Sequence, residues 1–121
     1  MKILIADNEK NFVELLRMNL ALNGHAADVA YDGKAALRLI QTNHYDLAFL
    51  DFNMPELTGL ELAKYIKENN IRTKVIMITG YDMMNEKLAK CVGVDEYLTK
   101  PFRIEDVKNV IARCGGKQEK P

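Results

Sequence analysis

The chain has no tryptophan, two cysteines, two histidines and no net charge, its 17 Lys and Arg being matched by 17 Asp and Glu. Each shortage excludes a class of protein. Cys91 and Cys114 form no CxxC pair and have no histidine at ligand spacing. They therefore read as reduced thiols acting as small apolar residues, not as a disulfide framework or a zinc site. His25 and His44 stand alone and read as loop or surface residues, not as metal ligands or catalytic bases. Without an excess of Lys and Arg there is no basic face to displace counterions, so direct nucleic-acid binding is not expected. No apolar run approaches the roughly 20 residues needed to cross a bilayer. The N-terminal "MKILIADNEK" has neither the length nor the small-residue cleavage site of a signal peptide. The expectation is a cytoplasmic protein without a membrane partner.

What is present is an alternation. The length of 121 residues, with 48% hydrophobic and 28% charged, fits one domain with a substantial core. Short apolar runs of strand length alternate with segments of helical periodicity. Ile3–Ala6 is followed by Phe12, Leu16 and Leu20 at helical spacing, closed by Asn23-Gly24. Ala26–Ala30 is a weaker strand, punctuated by Asp32-Gly33 before Ala36, Leu37 and Ile40. Leu47–Leu50 precedes a helix carrying Leu60, Leu62, Ala63 and Ile66, closed by Asn69-Asn70. Val75–Ile78 precedes a short, poorly patterned helix, Met84–Cys91. Glu96–Leu98 is a brief fifth strand, and Ile104, Val107, Val110 and Ile111 mark the last helix, ending at Gly115-Gly116.

Five such pairs predict a flavodoxin-like (βα)5 doubly wound α/β sandwich, with a parallel five-stranded sheet in the order 2-1-3-4-5. The predicted domain covers residues 1–114, with 115–121 a flexible tail or the start of a linker. In such a sheet the ligand site lies beyond the carboxyl ends of the strands. There the chain places Asp7, Asn8 and Glu9 after the first strand, Asp51 after the third, Thr79 after the fourth and Lys100 after the fifth. Taken singly these residues have plain alternatives: a helix N-cap for Asp7 or Asp51, a turn for Thr79, a solvated charge for Lys100. Together they read as chemistry. Converging carboxylates need a cation, and hard oxygen ligands on loops suit Mg²⁺, with Mn²⁺ as a substitute. A lysine and a hydroxyl opposite could hold phosphoryl oxygens. The constellation reads as phosphoryl transfer to an aspartate through an acyl phosphate.

The segments "ILIADNE", "LAFLDFNMPELTGLEL", "VIMITG" and "GVDEYLTKPF", in this order and spacing, resemble the markers of response-regulator receiver domains in two-component signalling. The resemblance spans Lys2 to about Cys114. It implies that Asp51 accepts a phosphoryl group from a phosphohistidine on a sensor histidine kinase or a phosphotransfer protein. It implies Mg²⁺ held by Asp7, Asn8, Asp51 and the backbone carbonyl of Asn53, Lys100 paired with the phosphoryl group, and Thr79 hydrogen-bonded to it. Tyr97 would swing inward as Thr79 moves, and the Lys100–Pro101 bond would be cis. The switch would alter the face made by the 84–91 helix, the fifth strand and the last helix, which a downstream output domain, a target protein or a second copy would read. Whether such a switch counts as an enzyme is left open; it would catalyse its own phosphorylation and dephosphorylation.

The chain departs from the resemblance at Asn8, where the usual second acid is missing, and weaker Mg²⁺ binding is expected. Glu9 could lend charge there or serve the helix start. Asn53 and Tyr81 would tune phosphoryl lifetime, and Met83 and Met84 would fill core or offer a partner surface. Three rival functions stand beside this one. A haloacid-dehalogenase-type phosphatase would place its nucleophile after the first strand. A flavodoxin-like carrier would not put acids in its phosphate loop. A phosphate-independent pseudo-receiver would act only through partners.

Overall fold

In the computed structural model, the described residues are 1–80 and 93–114. The expected Met84–Cys91 helix, Tyr81, Met83, Cys91 and the 115–121 tail lie outside them. Five strands form one parallel sheet: β1 Lys2–Ala6, β2 Ala26–Ala30, β3 Leu47–Asp51, β4 Lys74–Thr79 and β5 Glu96–Thr99, in the order β2-β1-β3-β4-β5. Helices α1 Lys10–Leu22, α2 Gly33–Thr42, α3 Gly59–Glu68 and the C-terminal helix Ile104–Cys114 cover both faces. This is the predicted doubly wound order.

The strand sequences explain the two layers. Alternate side chains of β1, β3 and β4 point to opposite faces, and on both faces they are apolar. Leu4, Ala48, Leu50, Val75 and Met77 pack with Ala36 and Ile40 of α2 and Leu62, Ala63 and Ile66 of α3. Ile3, Ile5, Leu47, Phe49, Ile76 and Ile78 pack with Val13, Leu16 and Leu20 of α1 and with Val107, Val110, Ile111 and Cys114 of the C-terminal helix. Each fully buried Leu, Ile or Phe contributes about 1.5–3 kcal/mol, so these central strands fix the register. Cys114 is a free thiol within this core, and burial pushes its pKa up to about 11. It is a packing residue, as expected.

The helix boundaries have local causes. Asn23 caps α1, and Gly24 at φ +85° turns the chain into β2. Asp32 accepts from the Ala35 N–H at the start of α2. Thr58 and Glu61 form a reciprocal capping box on α3. That answers one alternative for Asp51: it caps no helix. Nor does Asp7, because the N-cap of α1 is Glu9, whose side chain caps nothing. Four positions differ from the periodicity reading. Phe12 of α1, Leu37 and Leu60 are half-buried, and Ile104, at the start of its helix, is exposed. The strands also reach further, β4 to Thr79 and β5 to Thr99, because sheet hydrogen bonding continues past the apolar run.

Candidate functional site

Ala6 and Leu50 are partners in adjacent strands. The next residues, Asp7 just past β1 and Asp51 at the end of β3, therefore lie side by side at the carboxyl edge of the sheet. Asp7 is 0% exposed and Asp51 is 6% exposed. Asp7 Oδ1 accepts from the Glu9 N–H at 2.9 Å, and Asp51 Oδ1 accepts from the Asn53 N–H at 3.1 Å. Each carboxylate is thereby oriented by its own following loop.

Behind Asp51 the backbone is packed closely. A Cβ on Gly59, the first residue of α3, would lie 2.5 Å from the Asp51 carbonyl oxygen and 2.7 Å from Met77 Sδ. Only glycine lets α3 start this near the strand end. The intervening loop carries Glu56 at φ +73°, with the Leu57 N–H donating to the Pro55 carbonyl at 2.8 Å. That is a γ-turn, a tight and strained reversal.

Lys100 stands across the crevice. Its Nζ lies 3.1 Å from Asp7 Oδ2 and 2.7 Å from Glu9 Oε1. It also lies 5.0 Å from the centre of the Phe12 ring. The Lys100–Pro101 peptide is cis, as the resemblance implied. Burial alone would lower the Lys100 pKa, but Glu9, Asp7 and Asp51 outweigh it and the net direction is upward. Asp51 moves up to about 6, chiefly through burial and then through the charge of Asp7, with the Asn53 N–H and Lys100 opposing. The crevice thus holds more negative charge than one lysine satisfies.

The charge imbalance is the test of a metal here. Asp7 Oδ2 is buried and accepts no well-directed hydrogen bond, although Lys100 is near enough to pair electrostatically. A short, unsatisfied carboxylate oxygen beside a second carboxylate suits a hard divalent cation. Among the described residues no cluster of three or more His, Cys, Asp or Glu is arranged around a metal position. The donors on offer are two carboxylates, supplemented by Asn8 and Asn53, both on the exposed side of the crevice. The donor set fits Mg²⁺ but carries less charge than three acids would.

Thr79 is buried and ends β4, one residue past Ile78, the partner of Asp51. Its carbonyl accepts the Lys100 N–H at 2.7 Å, and the Ile78 carbonyl accepts the Phe52 N–H at 2.7 Å. The structure so brings Asp7, Asp51, Thr79 and Lys100 to one edge. Tyr97, in the middle of β5, points outward and is 38% exposed. Two contacts escaped the sequence reading, which has Glu9 lending charge nearby or serving the helix start and Phe12 as a core residue of the first helix. Glu9 contacts Lys100 directly, and Phe12 lies beneath the same ammonium; both follow from α1 starting immediately beside the β5 exit.

Comparison with known proteins identifies the family. The family model for the response regulator receiver domain matches residues 3–112. The transcriptional regulatory protein DltR of Streptococcus agalactiae is 33% identical over 108 residues, 88% of this chain and 48% of that protein. Response regulator MprA of a Mycobacterium species is 36% identical over 107 residues, 88% of this chain and 46% of that protein. The chain spans about half the length of the curated relatives it matches. The Francisella response regulator 1452 receiver domain superposes with a TM-score of 0.89 at 36% identity, covering 98% of each chain. Response regulator TrrA of Thermotoga maritima, solved in complex with Mg²⁺-BeF, superposes with a TM-score of 0.84 at 34% identity, covering 93% of this chain and 97% of that one. Fold, strand-end chemistry and both kinds of likeness converge: the chain belongs to the response regulator receiver domain family.

Proposed function

We propose that the chain is a phosphoacceptor receiver domain in cytoplasmic two-component signalling, with Asp51 as the acceptor. The observation that carries this reading is the pair of buried carboxylates, Asp7 and Asp51, facing Lys100 at the carboxyl edge of the sheet. The donor is a phosphohistidine on a sensor histidine kinase or phosphotransfer protein. An Asp51 carboxylate oxygen attacks phosphorus, the P–N bond breaks, and the imidazole leaves with the electron pair. Asp7, Asp51, Asn8 and the Asn53 carbonyl would hold Mg²⁺, or Mn²⁺ in its place. The bound cation supplies charge neutralisation for the approaching phosphoryl oxygens.

The protein's own groups do the rest. The Asn53 N–H fixes the Asp51 carboxylate. Lys100 offers its ammonium to one phosphoryl oxygen, and the Thr79 hydroxyl serves another. Phosphorylation replaces a single negative charge with roughly two. Thr79 then shifts toward the new oxygens and Tyr97 turns from its outward position into the vacated space. The readout face comprises β5, the C-terminal helix and the expected 84–91 helix, and it would serve an output domain, a target protein or a second copy. Residues 1–114 form this receiver, with 115–121 a tail or linker.

Incubation with acetyl phosphate and Mg²⁺, read by intact mass, tests the assignment. Wild type should gain one labile phosphoryl group, lost in Asp51→Asn and suppressed by chelator. A chain that takes up no phosphoryl group would instead be a partner-binding pseudo-receiver, the reading that the neutral Asn8 favours. A second result follows from Asn8. Asn8→Asp should tighten Mg²⁺ binding by about tenfold, the effect of adding one anionic ligand at about 1.4 kcal/mol, measured by calorimetric titration. Equal affinities would show that the residue at this position does not set metal binding.

A further inference from the structure

Glu9 has no task in the phosphoryl-transfer scheme, yet its contact with Lys100, 2.7 Å, is shorter than the 3.1 Å from Lys100 to Asp7. The side chain is available for this because it caps nothing at the start of α1. Phe12, one turn further along α1, supports the same ammonium from below and rests edge-on against Phe102, ring centres 5.4 Å apart. Glu9 and Phe12 thus hold Lys100 against the α1 side of the crevice mouth. The Asp51 carboxylate lies deeper, 6% exposed, while Glu9 is 62% exposed.

An ammonium has three N–H groups and no acceptor. A phosphoryl group on Asp51 and the Glu9 carboxylate call on the same few donors. We propose that Glu9 is a positioning residue that competes with the Asp51 phosphoryl group for Lys100. This rests on the reading of Asp51 as the acceptor. Lys100 serves the phosphoryl group by leaving Glu9, so every anion bound at Asp51 is held less tightly by the strength of the Glu9 pair. Because Glu9 faces solvent, that strength is that of a screened surface ion pair, and its removal changes affinity by roughly two- to fivefold.

The general effect of deleting a negative charge near an anion site must be separated from the effect carried by Lys100. A double-mutant cycle does so. Beryllofluoride, an unreactive phosphoryl mimic, is titrated by calorimetry at saturating Mg²⁺ into wild type, Glu9→Gln, Lys100→Met and the double variant. Glu9→Gln should bind roughly two- to fivefold more tightly than wild type, and the same substitution should do nothing in the Lys100→Met background. An equal gain in both backgrounds overturns the proposal in favour of simple charge repulsion, and no gain in either overturns it outright. A wild type that binds no beryllofluoride, or an Asp51→Asn variant that binds as well as wild type, overturns the acceptor assignment itself and the proposal with it.

Discussion

Asp51→Asn should melt higher than wild type at about pH 8 in chelator, by roughly 9–12 °C for a domain of this size. The reason is the environment of the carboxylate. Its folded pKa is raised from 3.8 to about 6, chiefly by burial and then by Asp7. In the window between those values the folded state binds more protons than the unfolded state, so stability falls as pH rises. Below about pH 4 Asp51 is protonated in both states and its contribution is fully retained. Above about pH 6 it is lost, at a cost of about 3 kcal/mol. Asparagine cannot ionise, so the variant escapes that loss. The advantage over wild type should therefore be absent at about pH 4 and complete near neutrality. Thermal melts across this range check it, and a gain that does not depend on pH would place its origin elsewhere. Saturating Mg²⁺ should narrow the gap, since a bound cation relieves the wild-type carboxylate and not the amide. Under the proposed function, the more stable form in chelator is thus the one that cannot accept phosphate, as expected where function keeps charges crowded.

Lys100→Met has the opposite sign. Asp7 is fully buried, and Lys100 is the cation 3.1 Å from its otherwise unsatisfied Oδ2. Deleting one partner of a buried pair leaves the other charge uncompensated, which costs about 3–5 kcal/mol when both are deeply buried. Lys100 is 24% exposed, so water can replace part of its effect, and a loss on the order of 2 kcal/mol is expected in chelator at about pH 8. The Asp51 pKa should move further up, because Lys100 is one of the groups holding it down. Saturating Mg²⁺ should recover most of the lost stability, the carboxylates requiring positive charge from either source. Denaturant unfolding with and without Mg²⁺ measures both effects. A variant as stable as wild type in chelator would mean that solvent reaches Asp7 Oδ2 well enough to replace the lysine.

The sheet was legible because its central strands are continuous apolar runs, and a parallel sheet buried on both faces requires them. The four candidate site residues were legible for a different reason: Asp51 and Thr79 end their strands, Asp7 and Lys100 follow theirs directly, and the doubly wound order sends all strand ends to one edge. The neighbours of those residues were not. Glu9 and Lys100 are 91 positions apart, and their contact depends on how the α1 start lies beside the β5 exit, which no periodicity encodes. The role of Gly59 was hidden likewise, since a glycine at a helix start reads as ordinary until the Asp51 carbonyl is found against it. Threonine breaks the apolar run, so the sequence places Thr79 just past its strand; backbone pairing with Thr99 keeps it inside. The expected Tyr81 shield and the 84–91 helix fall outside the described residues.

The end of β4 is gripped from both sides, by the Phe52 N–H on the Ile78 carbonyl and, one peptide further, by the Lys100 N–H on the Thr79 carbonyl. It acts as a yoke. The loop that follows the proposed acceptor and the lysine that would greet the phosphoryl group hang from opposite arms of it. Under the proposed function, a pull on Lys100 loads the same crossbar that carries Thr79, so the two contacts to the phosphoryl group would engage as one stroke. A single well-placed reporter, an isotope-labelled carbonyl at Thr79, would then register both arrivals in one signal.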